Sequence, residues 1–212
     1  MSNACRVVVL ISGNGSNLQA IIDRQAELSI EIVGVISNRP DVYGLERAQQ
    51  ANINTKVLDH TTFESRELFD NELSELIESY QPELVVLAGY MRIMTQELVK
   101  HFEGKMLNIH PSILPKYPGL NTHRRAIEAG DSEHGSSVHF VTEVLDGGPI
   151  IAQAKLNITE NDTEQSLADR IKQLEHTLFP KVIGWFAASR LEFKQNQTYL
   201  DGKLLSSPLL IE

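Results

Sequence analysis

Apolar runs alternate with helically spaced apolar positions along the first half of the chain. Continuous aliphatic runs occupy residues 7–12, 32–37 and 84–88, a pattern typical of strands that are buried on both faces. Apolar residues at helical spacing fill the segments between these runs, as in residues 18–28. Strands that alternate with helices in this way predict a parallel sheet with right-handed crossovers.

The best-marked helix of this half lies between residues 61 and 80. Thr61 and Glu64 have the spacing of a capping box, an apolar stripe continues to Tyr80, and Pro82 stops the pattern. The remaining elements are shorter. We expect a helix around 45–51, a strand near 55–58, a helix near 96–102 and a strand that runs into Asn108.

The pattern changes in the second half. Residues 137–142 and 150–158 both resemble strands and are joined only by a glycine-rich turn, which predicts an antiparallel pair. Residues 163–188 form a long helical pattern that Pro180 and Gly184 should kink or interrupt. Asp201-Gly202 predicts a hairpin at the tail.

These elements predict an α/β protein with a Rossmann-like fold. Its mostly parallel twisted sheet carries an antiparallel C-terminal extension. We expect a single domain over residues 1–212, with a Rossmann-like, phosphate-binding half at 1–109. The other half, 110–212, would hold a catalytic loop, the antiparallel strands and the long helix.

Composition and charge disfavour or exclude several classes of protein and site. The 212 residues carry a formal charge of −9, which disfavours nucleic-acid binding because phosphate contacts need clustered Lys and Arg. Cys5 is the sole cysteine, so an intrachain disulfide and a cysteine-rich zinc site are excluded. The N-terminal apolar run is too short to span a bilayer, and no cleavage site follows it. We therefore expect a cytoplasmic protein that binds neither nucleic acid nor a membrane.

Residues 108–118 are poorly suited to regular structure and well suited to chemistry. Three prolines in eight residues exclude a helix or a central strand, so this segment must form a shaped loop. Asn108 and His110 stand two residues apart where an apolar strand ends, and on a strand they would project to one face. An amide donor beside an imidazole suits oxyanion stabilisation and proton transfer.

Plain structural roles remain open for these groups. His110 could be a loop histidine satisfied by neighbours, and Asp146 could be a turn residue ahead of two glycines. Alternatively, Asp146 is the charge partner that favours the proton-donating form of His110. The histidines lack metal-ligand spacing, which disfavours a metal site, and Ser112 more plausibly shapes the loop than acts as a nucleophile.

A glycine-rich turn at residues 13–17 links the first predicted strand to the first helix. Such a turn presents backbone N–H groups to an anion. No lysine follows, which excludes a Walker loop, and Leu18 stands where a dinucleotide fingerprint needs its third glycine. The polar Asn14, Ser16 and Asn17 favour a small phosphate such as a sugar monophosphate. A turn that only lets helix pack on strand, with Ser16 or Asn17 as N-cap, explains the local pattern equally well.

Three further features have two interpretations each. Residues 91–94 place two methionines around an arginine and suit either a pocket for a flat ring or core packing. Arg66 could bind a ligand or pair with Asp70 one helical turn away. Glu175-His176 could belong to a site or to the solvated face of the long helix.

Taken together, these segments closely resemble the phosphoribosylglycinamide formyltransferases (glycinamide ribonucleotide transformylases), the folate-dependent enzymes of purine synthesis. The likeness extends from Val7 to the hairpin at Asp201-Gly202. It rests on VVLISGNGSNLQAII, VVLAGYMRI, LNIHPSILPKYPG with the following THR, and HGSSVHFVTEVLDGGPII, in this order and spacing. The resemblance implies that the amine of glycinamide ribonucleotide attacks the formyl carbon of 10-formyltetrahydrofolate, a co-substrate, without a metal.

The resemblance also implies roles for individual residues. His110 would donate to the tetrahedral oxyanion or shuttle its proton, Asn108 would hydrogen-bond that oxygen, and Asp146 would keep His110 protonated and oriented. The residues that would bind the ribonucleotide are Gly15, Ser16, Asn17, Lys172, Gln173, Leu174 and Glu175. The residues on the folate side would be Arg66, Met91, Arg92, Ile93, Met94, Asn108, Thr142, Glu143, Val144, Leu145 and Asp146.

Alternatives to this function stay open. The signature around His110 is shared with formyltetrahydrofolate hydrolase, and a catalytically silent folate- or nucleotide-binding module could use the same fold. One departure from the pattern is Asn121, which stands where close relatives often carry a histidine. The expected partners are small-molecule substrates, and the chain could be a monomer or a homodimer.

Overall fold

The computed structural model describes residues 4–211. Its strands and helices alternate through the first half of the chain, as the sequence predicts. The α-helices are α1 (Ser16–Ile22), α2 (Tyr43–Gln50), α3 (Arg66–Ser79), α4 (Gln96–His101), α5 (Thr122–Glu128) and α6 (Glu164–Ala187). The strands are β1 (Cys5–Ile11), β2 (Ile30–Ser37), β3 (Thr55–Val57), β4 (Leu84–Leu87), β5 (Met106–His110), β6 (Glu133–Phe140), β7 (Ile150–Asn157), β8 (Leu191–Lys194), β9 (Gln197–Leu200), β10 (Lys203–Leu204) and β11 (Leu209–Leu210).

Contacts divide the chain between Leu107 and Asn108 into two compact units. In the first, the strand order is β4-β1-β2-β3, and every one of these neighbours pairs in parallel. Residues Val7 to Ile11 of β1 are fully buried, because this central strand is covered on both faces. The carboxyl end of β1, at Ile11, leads directly into the glycine-rich turn at residues 13–17.

The second unit contains the C-terminal extension. β6 and β7 pair antiparallel, and β11 adds to the far side of β7 in parallel. β8, β9 and β10 form a separate antiparallel sheet, which includes the predicted hairpin at Asp201-Gly202. The α/β class and the mostly parallel sheet with antiparallel C-terminal strands are confirmed. The grouping of residues 1–212 into a single domain stays a prediction.

The start of α3 differs from the predicted capping box. Ser65 is the N-cap and accepts a hydrogen bond from the Leu68 backbone N–H at 3.2 Å. Thr61 lies instead in a short 3-10 turn, where the Asp59 carboxylate accepts from the Thr61 N–H at 2.9 Å. The capping-box assignment is wrong because Asp59 holds Thr61 in this separate turn, which ends at Thr62, before the helix begins at Arg66.

The long helix α6 continues through Pro180 and Gly184 from Glu164 to Ala187, so the predicted interruption is wrong. Buried apolar side chains flank the proline on both sides, at Phe179 and Val182. This packing outweighs the backbone hydrogen bond that a proline removes from a helix interior. One α-helix and two strands of the described residues were not predicted: α5, β8 and β11.

Candidate active site

Asn108 and His110 both lie on β5, two residues apart, at the point where the strand ends. The His110 Nδ1 atom is 3.4 Å from Asp146 Oδ2, and the two side chains are only 7% and 8% exposed. The His110 Nε2 atom is 2.8 Å from the backbone oxygen of Tyr117. Both ring nitrogens of His110 therefore face oxygen atoms that can accept a hydrogen bond.

Asp146 is held where it can act on the imidazole. Its Oδ2 accepts a hydrogen bond from the Gly119 backbone N–H at 2.8 Å, and its own backbone is left-handed at φ 50°. The loop that carries it closes tightly, since a Cβ on Gly148 would lie 1.8 Å from the Phe140 backbone oxygen. Glycine is therefore required there, and the carboxylate position depends on that close approach.

His139 is a site residue that the sequence analysis missed. Its Nδ1 is 2.8 Å from the Phe140 backbone oxygen, and its Nε2 is 3.1 Å from the amide nitrogen of Asn108. Burial lowers the pKa of His139 below its usual range, so the neutral ring donates from Nδ1 and accepts at Nε2. One N–H of the Asn108 amide is thereby fixed.

The signal that could have identified His139 is the polar alternation within a buried strand. Ser137 and His139 lie two residues apart on β6, and both side chains are buried. On a strand such residues share one face. Polar side chains repeated on the buried face of a strand need hydrogen-bond partners. Here Asn108, at the end of β5, is a partner of His139.

Hydrogen bonds give the proline-rich loop its shape. The Ser112 hydroxyl donates to the Lys116 backbone oxygen at 2.6 Å, and the Ser112 backbone oxygen accepts from the Ser137 hydroxyl at 2.6 Å. The Gln153 side-chain amide donates to the Leu114 backbone oxygen at 2.9 Å. The structural role expected for Ser112 is confirmed.

Glu175 is buried at 6% exposure, so its assignment to a solvated helix face is wrong. The Ser136 hydroxyl lies 3.0 Å from Glu175 Oε1 and 2.8 Å from the His110 backbone oxygen. This hydroxyl connects α6 to the end of β5. Lys172 differs in that it is exposed and pairs with Asp169 at 3.2 Å.

The glycine turn of the first unit ends at Gly15, which is the N-cap of α1 and adopts a left-handed conformation at φ 74° and ψ 30°. No side chain caps α1, so the alternative that Ser16 or Asn17 is the N-cap is wrong. Asn17 is buried at 9% exposure. Packing explains part of this turn, because Gly15 also touches the start of α2.

The segment 91–94 presents apolar side chains to solvent, since Met91 and Ile93 are 63% and 53% exposed. Core packing is therefore the wrong explanation for these two residues. The backbone of the segment is nevertheless fixed at both ends. The Met91 N–H donates to Ser12 Oγ at 2.8 Å, and the Thr95 N–H donates to Asp70 Oδ2 at 2.5 Å.

Two charged side chains, those of Arg92 and Asp70, help to hold the segment 91–94 in place. The Arg92 guanidinium lies 4.5 Å from the centre of the Phe69 ring, a cation–π contact. Asp70 is 2% exposed, and burial raises the pKa of its carboxyl above the usual range.

Arg66, the first residue of α3, is exposed. In the second unit, Val144 and Leu145 of the loop 142–146 are likewise exposed, at 66% and 50%.

Within residues 4–211, His, Cys, Asp and Glu side chains do not come together in a group of three or more that could hold a metal ion. No helix in the same range is long and apolar enough to cross a membrane.

A buried histidine–carboxylate pair and an amide at the end of a strand, on an α/β fold, are the kinds of group that acyl-transfer enzymes use for proton transfer and oxyanion stabilisation. Comparison with known proteins identifies the family to which the chain belongs. The formyl transferase family model matches residues 5–183. The phosphoribosylglycinamide formyltransferase of Escherichia coli (strain K12) is 53% identical over 201 residues, which cover 94% of this chain and 95% of that protein.

A solved structure and a larger relative agree with that match. The structure of phosphoribosylglycinamide formyltransferase from Coxiella burnetii superposes with a TM-score of 0.94 at 54% identity and covers 98% of this chain and 99% of that chain. The trifunctional purine biosynthetic protein adenosine-3 of Drosophila melanogaster is 47% identical over 182 residues, or 84% of this chain and 14% of that protein. The chain belongs to the formyl transferase family and is a formyltransferase.

Proposed function

We propose that this formyltransferase moves the formyl group of 10-formyltetrahydrofolate to the glycine amine of N1-(5-phospho-D-ribosyl)glycinamide in purine biosynthesis. The observation that carries the proposal is the buried pair of His110 and Asp146, 3.4 Å apart, beside Asn108. The relatives from Escherichia coli and Coxiella burnetii are named phosphoribosylglycinamide formyltransferase, and they cover 94% and 98% of the chain. The folate is a co-substrate that returns to solution after each turnover.

The residues would act on the charge and the proton of this transfer. As the amine nitrogen bonds to the formyl carbon, negative charge develops on the formyl oxygen. The free N–H of the Asn108 amide and an N–H of His110 would stabilise that oxygen. When the bond from carbon to the folate nitrogen breaks, that nitrogen gains one proton and the amine loses one. His110 is the group suited to relay it.

Asp146 would favour the charged form of His110, and His139 would keep the Asn108 amide in one orientation. Both effects arise from groups that are almost fully buried, where Coulomb interactions are stronger than in water. In the present structure the Tyr117 backbone oxygen accepts from His110 Nε2. We propose that an oxygen of the reacting substrate replaces this acceptor during turnover.

Two segments would bind the ribonucleotide and two the folate. Gly15, Ser16 and Asn17 would bind the phosphate, mainly through backbone N–H groups, and Glu175 in the segment 172–175 would receive the glycine ammonium. On the folate side, the segments 91–94 and 142–146 would line the ring site, and Arg66 would meet an anionic part of the cofactor.

A spectrophotometric assay of folate release from a 10-formylfolate donor, run with and without glycinamide ribonucleotide, tests this function. Release that requires the ribonucleotide is the expected result. Equal release in its absence would identify a formyltetrahydrofolate hydrolase. Binding of either ligand without turnover would identify a silent binding module.

His110→Ala serves as the catalytic knock-out in the same assay, and His101→Ala, on the exposed histidine of α4, serves as the matched control. Loss of turnover in the first variant alone would assign the activity to the described site. Equal activity of both variants would refute the role of His110.

A further inference from the structure

Helix α2 packs directly against the glycine turn of the first unit. A Cβ on Gly15 would lie 2.7 Å from the Gly44 Cα, and a Cβ on Gly44 would lie 3.0 Å from the Gly13 backbone oxygen. The Gly44 N–H donates to that oxygen at 3.1 Å. The missing side chains of these glycines allow a helix backbone to reach the carbonyl groups of the turn.

One side chain of α2, Arg47, extends this contact. Its Nε donates to the Asn14 backbone oxygen at 2.9 Å, and its Nη2 donates to the Asn14 side-chain oxygen at 3.2 Å. Its Nη1 donates to Gln19 Oε1 at 3.2 Å. The guanidinium also lies 4.6 Å from the centre of the Tyr43 ring. All three guanidinium nitrogens thus have acceptors on the turn and on α1.

These bonds fix the direction of the peptide groups in the turn. In a trans peptide the carbonyl of one residue and the N–H of the next point in opposite directions. Because Gly44 and Arg47 bind the carbonyls of Gly13 and Asn14, the N–H groups of Asn14 and Gly15 point away from α2. Two successive N–H groups that point to one side form the kind of concavity that binds an anion.

An arginine suits this task better than another cation would. Its planar fork can bind a backbone oxygen and a side-chain oxygen of one residue at the same time, whereas a lysine ammonium is a single donor centre. The positive charge also offsets the partial negative charge of carbonyl oxygens that would otherwise repel a phosphate. The Tyr43 ring restricts the guanidinium further through a cation–π contact.

We propose that Arg47 is a positioning residue for the ribonucleotide phosphate: it holds the carbonyls of the glycine turn on the α2 side and so preforms the N–H groups for the phosphate. This inference rests on the proposed function of the turn. Arg47 acts through the turn without contacting the reacting atoms. Its loss should therefore weaken binding of the ribonucleotide and leave the chemical step and the folate site unchanged.

The test measures steady-state kinetics of the Arg47→Met and Arg47→Lys variants, with each substrate varied in turn, and competitive inhibition by inorganic phosphate. Arg6→Met is the matched control, since Arg6 also donates to two backbone oxygens of the first unit, those of Gln81 at 3.1 Å and Tyr80 at 2.5 Å. Urea unfolding of each variant reports any common loss of stability.

For Arg47→Met we expect the ribonucleotide KM and the phosphate inhibition constant to rise by about ten- to hundredfold, because charge-assisted hydrogen bonds that order the turn are lost. The folate KM and the kcat should stay within about twofold. Arg47→Lys should recover only part of the affinity. Arg6→Met should unfold at lower urea with an unchanged ribonucleotide KM. If Arg47→Met does not fold, Arg47→Lys carries the same comparison.

Several results would overturn the proposal. An unchanged ribonucleotide KM in Arg47→Met, or equal losses for both substrates, would remove the specific role. Full recovery in Arg47→Lys would show that charge alone matters. Absence of ribonucleotide-dependent turnover in the unsubstituted protein would refute the proposed function itself, and this outcome is distinct from a normal enzyme that tolerates Arg47→Met.

Discussion

Replacement of Gly15 by alanine should separate the cost of backbone conformation from the cost of a helix contact. Gly15 has φ +74°, and its new Cβ would meet the Gly44 Cα at 2.7 Å. Gly202 supplies a matched control, because it also has φ +74° but its Cβ would meet nothing within 4 Å. Both variants carry the left-handed strain, and Gly15→Ala alone carries the contact.

The magnitudes follow from these two contributions. A left-handed alanine costs about 1–2 kcal/mol, and the reduced entropy of the unfolded chain offsets roughly 0.4–1 kcal/mol of that. Overpacking against a backbone atom adds about 1–3 kcal/mol. Gly15→Ala should therefore be less stable than Gly202→Ala by about 1–3 kcal/mol, since the first two contributions cancel in the comparison.

Urea unfolding followed by circular dichroism measures this difference. With a slope of about 2 kcal/mol/M, the midpoint of Gly15→Ala should lie roughly 0.5–1.5 M below that of Gly202→Ala. Equal midpoints would refute the argument that α2 approaches the turn too closely for a side chain.

The same variant tests how the phosphate is held. If backbone N–H groups do most of the binding, Gly15→Ala should raise the ribonucleotide KM more than Ser16→Ala or Asn17→Ala does. Gly202→Ala should leave that KM unchanged. Equal effects of the three changes at residues 15–17 would show that side chains bind the phosphate as strongly as the backbone does.

Three further expectations concern the histidines. His110→Ala should lower kcat by about 10²- to 10⁴-fold with nearly unchanged dissociation constants for both substrates, and an equal loss of rate and affinity would contradict its role in proton transfer. Asp146→Asn should lower kcat, because His110 loses the carboxylate that lies 3.4 Å from its Nδ1; an unchanged kcat would contradict the coupling. Burial lowers the pKa of His134 from 6.5 to about 4, so the unfolded state binds this proton first and the free energy of unfolding should fall as pH drops from 6.5 to 4. Urea midpoints of His134→Gln should fall less steeply over that range than those of the unsubstituted protein, and identical slopes would refute the assignment.

The sequence by itself determined the elements whose signal lies in neighbouring residues. The aliphatic run before the glycine turn became β1, buried on both faces, and the spacing of Asn108 and His110 placed them two residues apart at the end of β5. The hairpin at Asp201-Gly202 likewise followed from its two turn residues. Periodicity of two or 3.6 residues is local, so a linear sequence displays it directly.

Local signals also misled where other interactions decided the outcome. Asp59 captured Thr61 in a separate turn, so the capping box predicted from Thr61 did not form. Buried side chains on both sides of Pro180 kept α6 continuous. In each case the propensity of a short segment was weaker than the interactions around it.

Only the tertiary structure decided which groups complete the site. His139 reaches Asn108 across 31 residues of chain, Gly119 reaches Asp146 across 27, and Arg47 reaches Asn14 across 33. Such contacts depend on strand register, helix packing and loop closure, and a shift of one residue in a strand would turn these side chains to the opposite face. The residue types that carry the chemistry are therefore visible in the sequence, whereas the groups that orient them emerge only when the chain is folded.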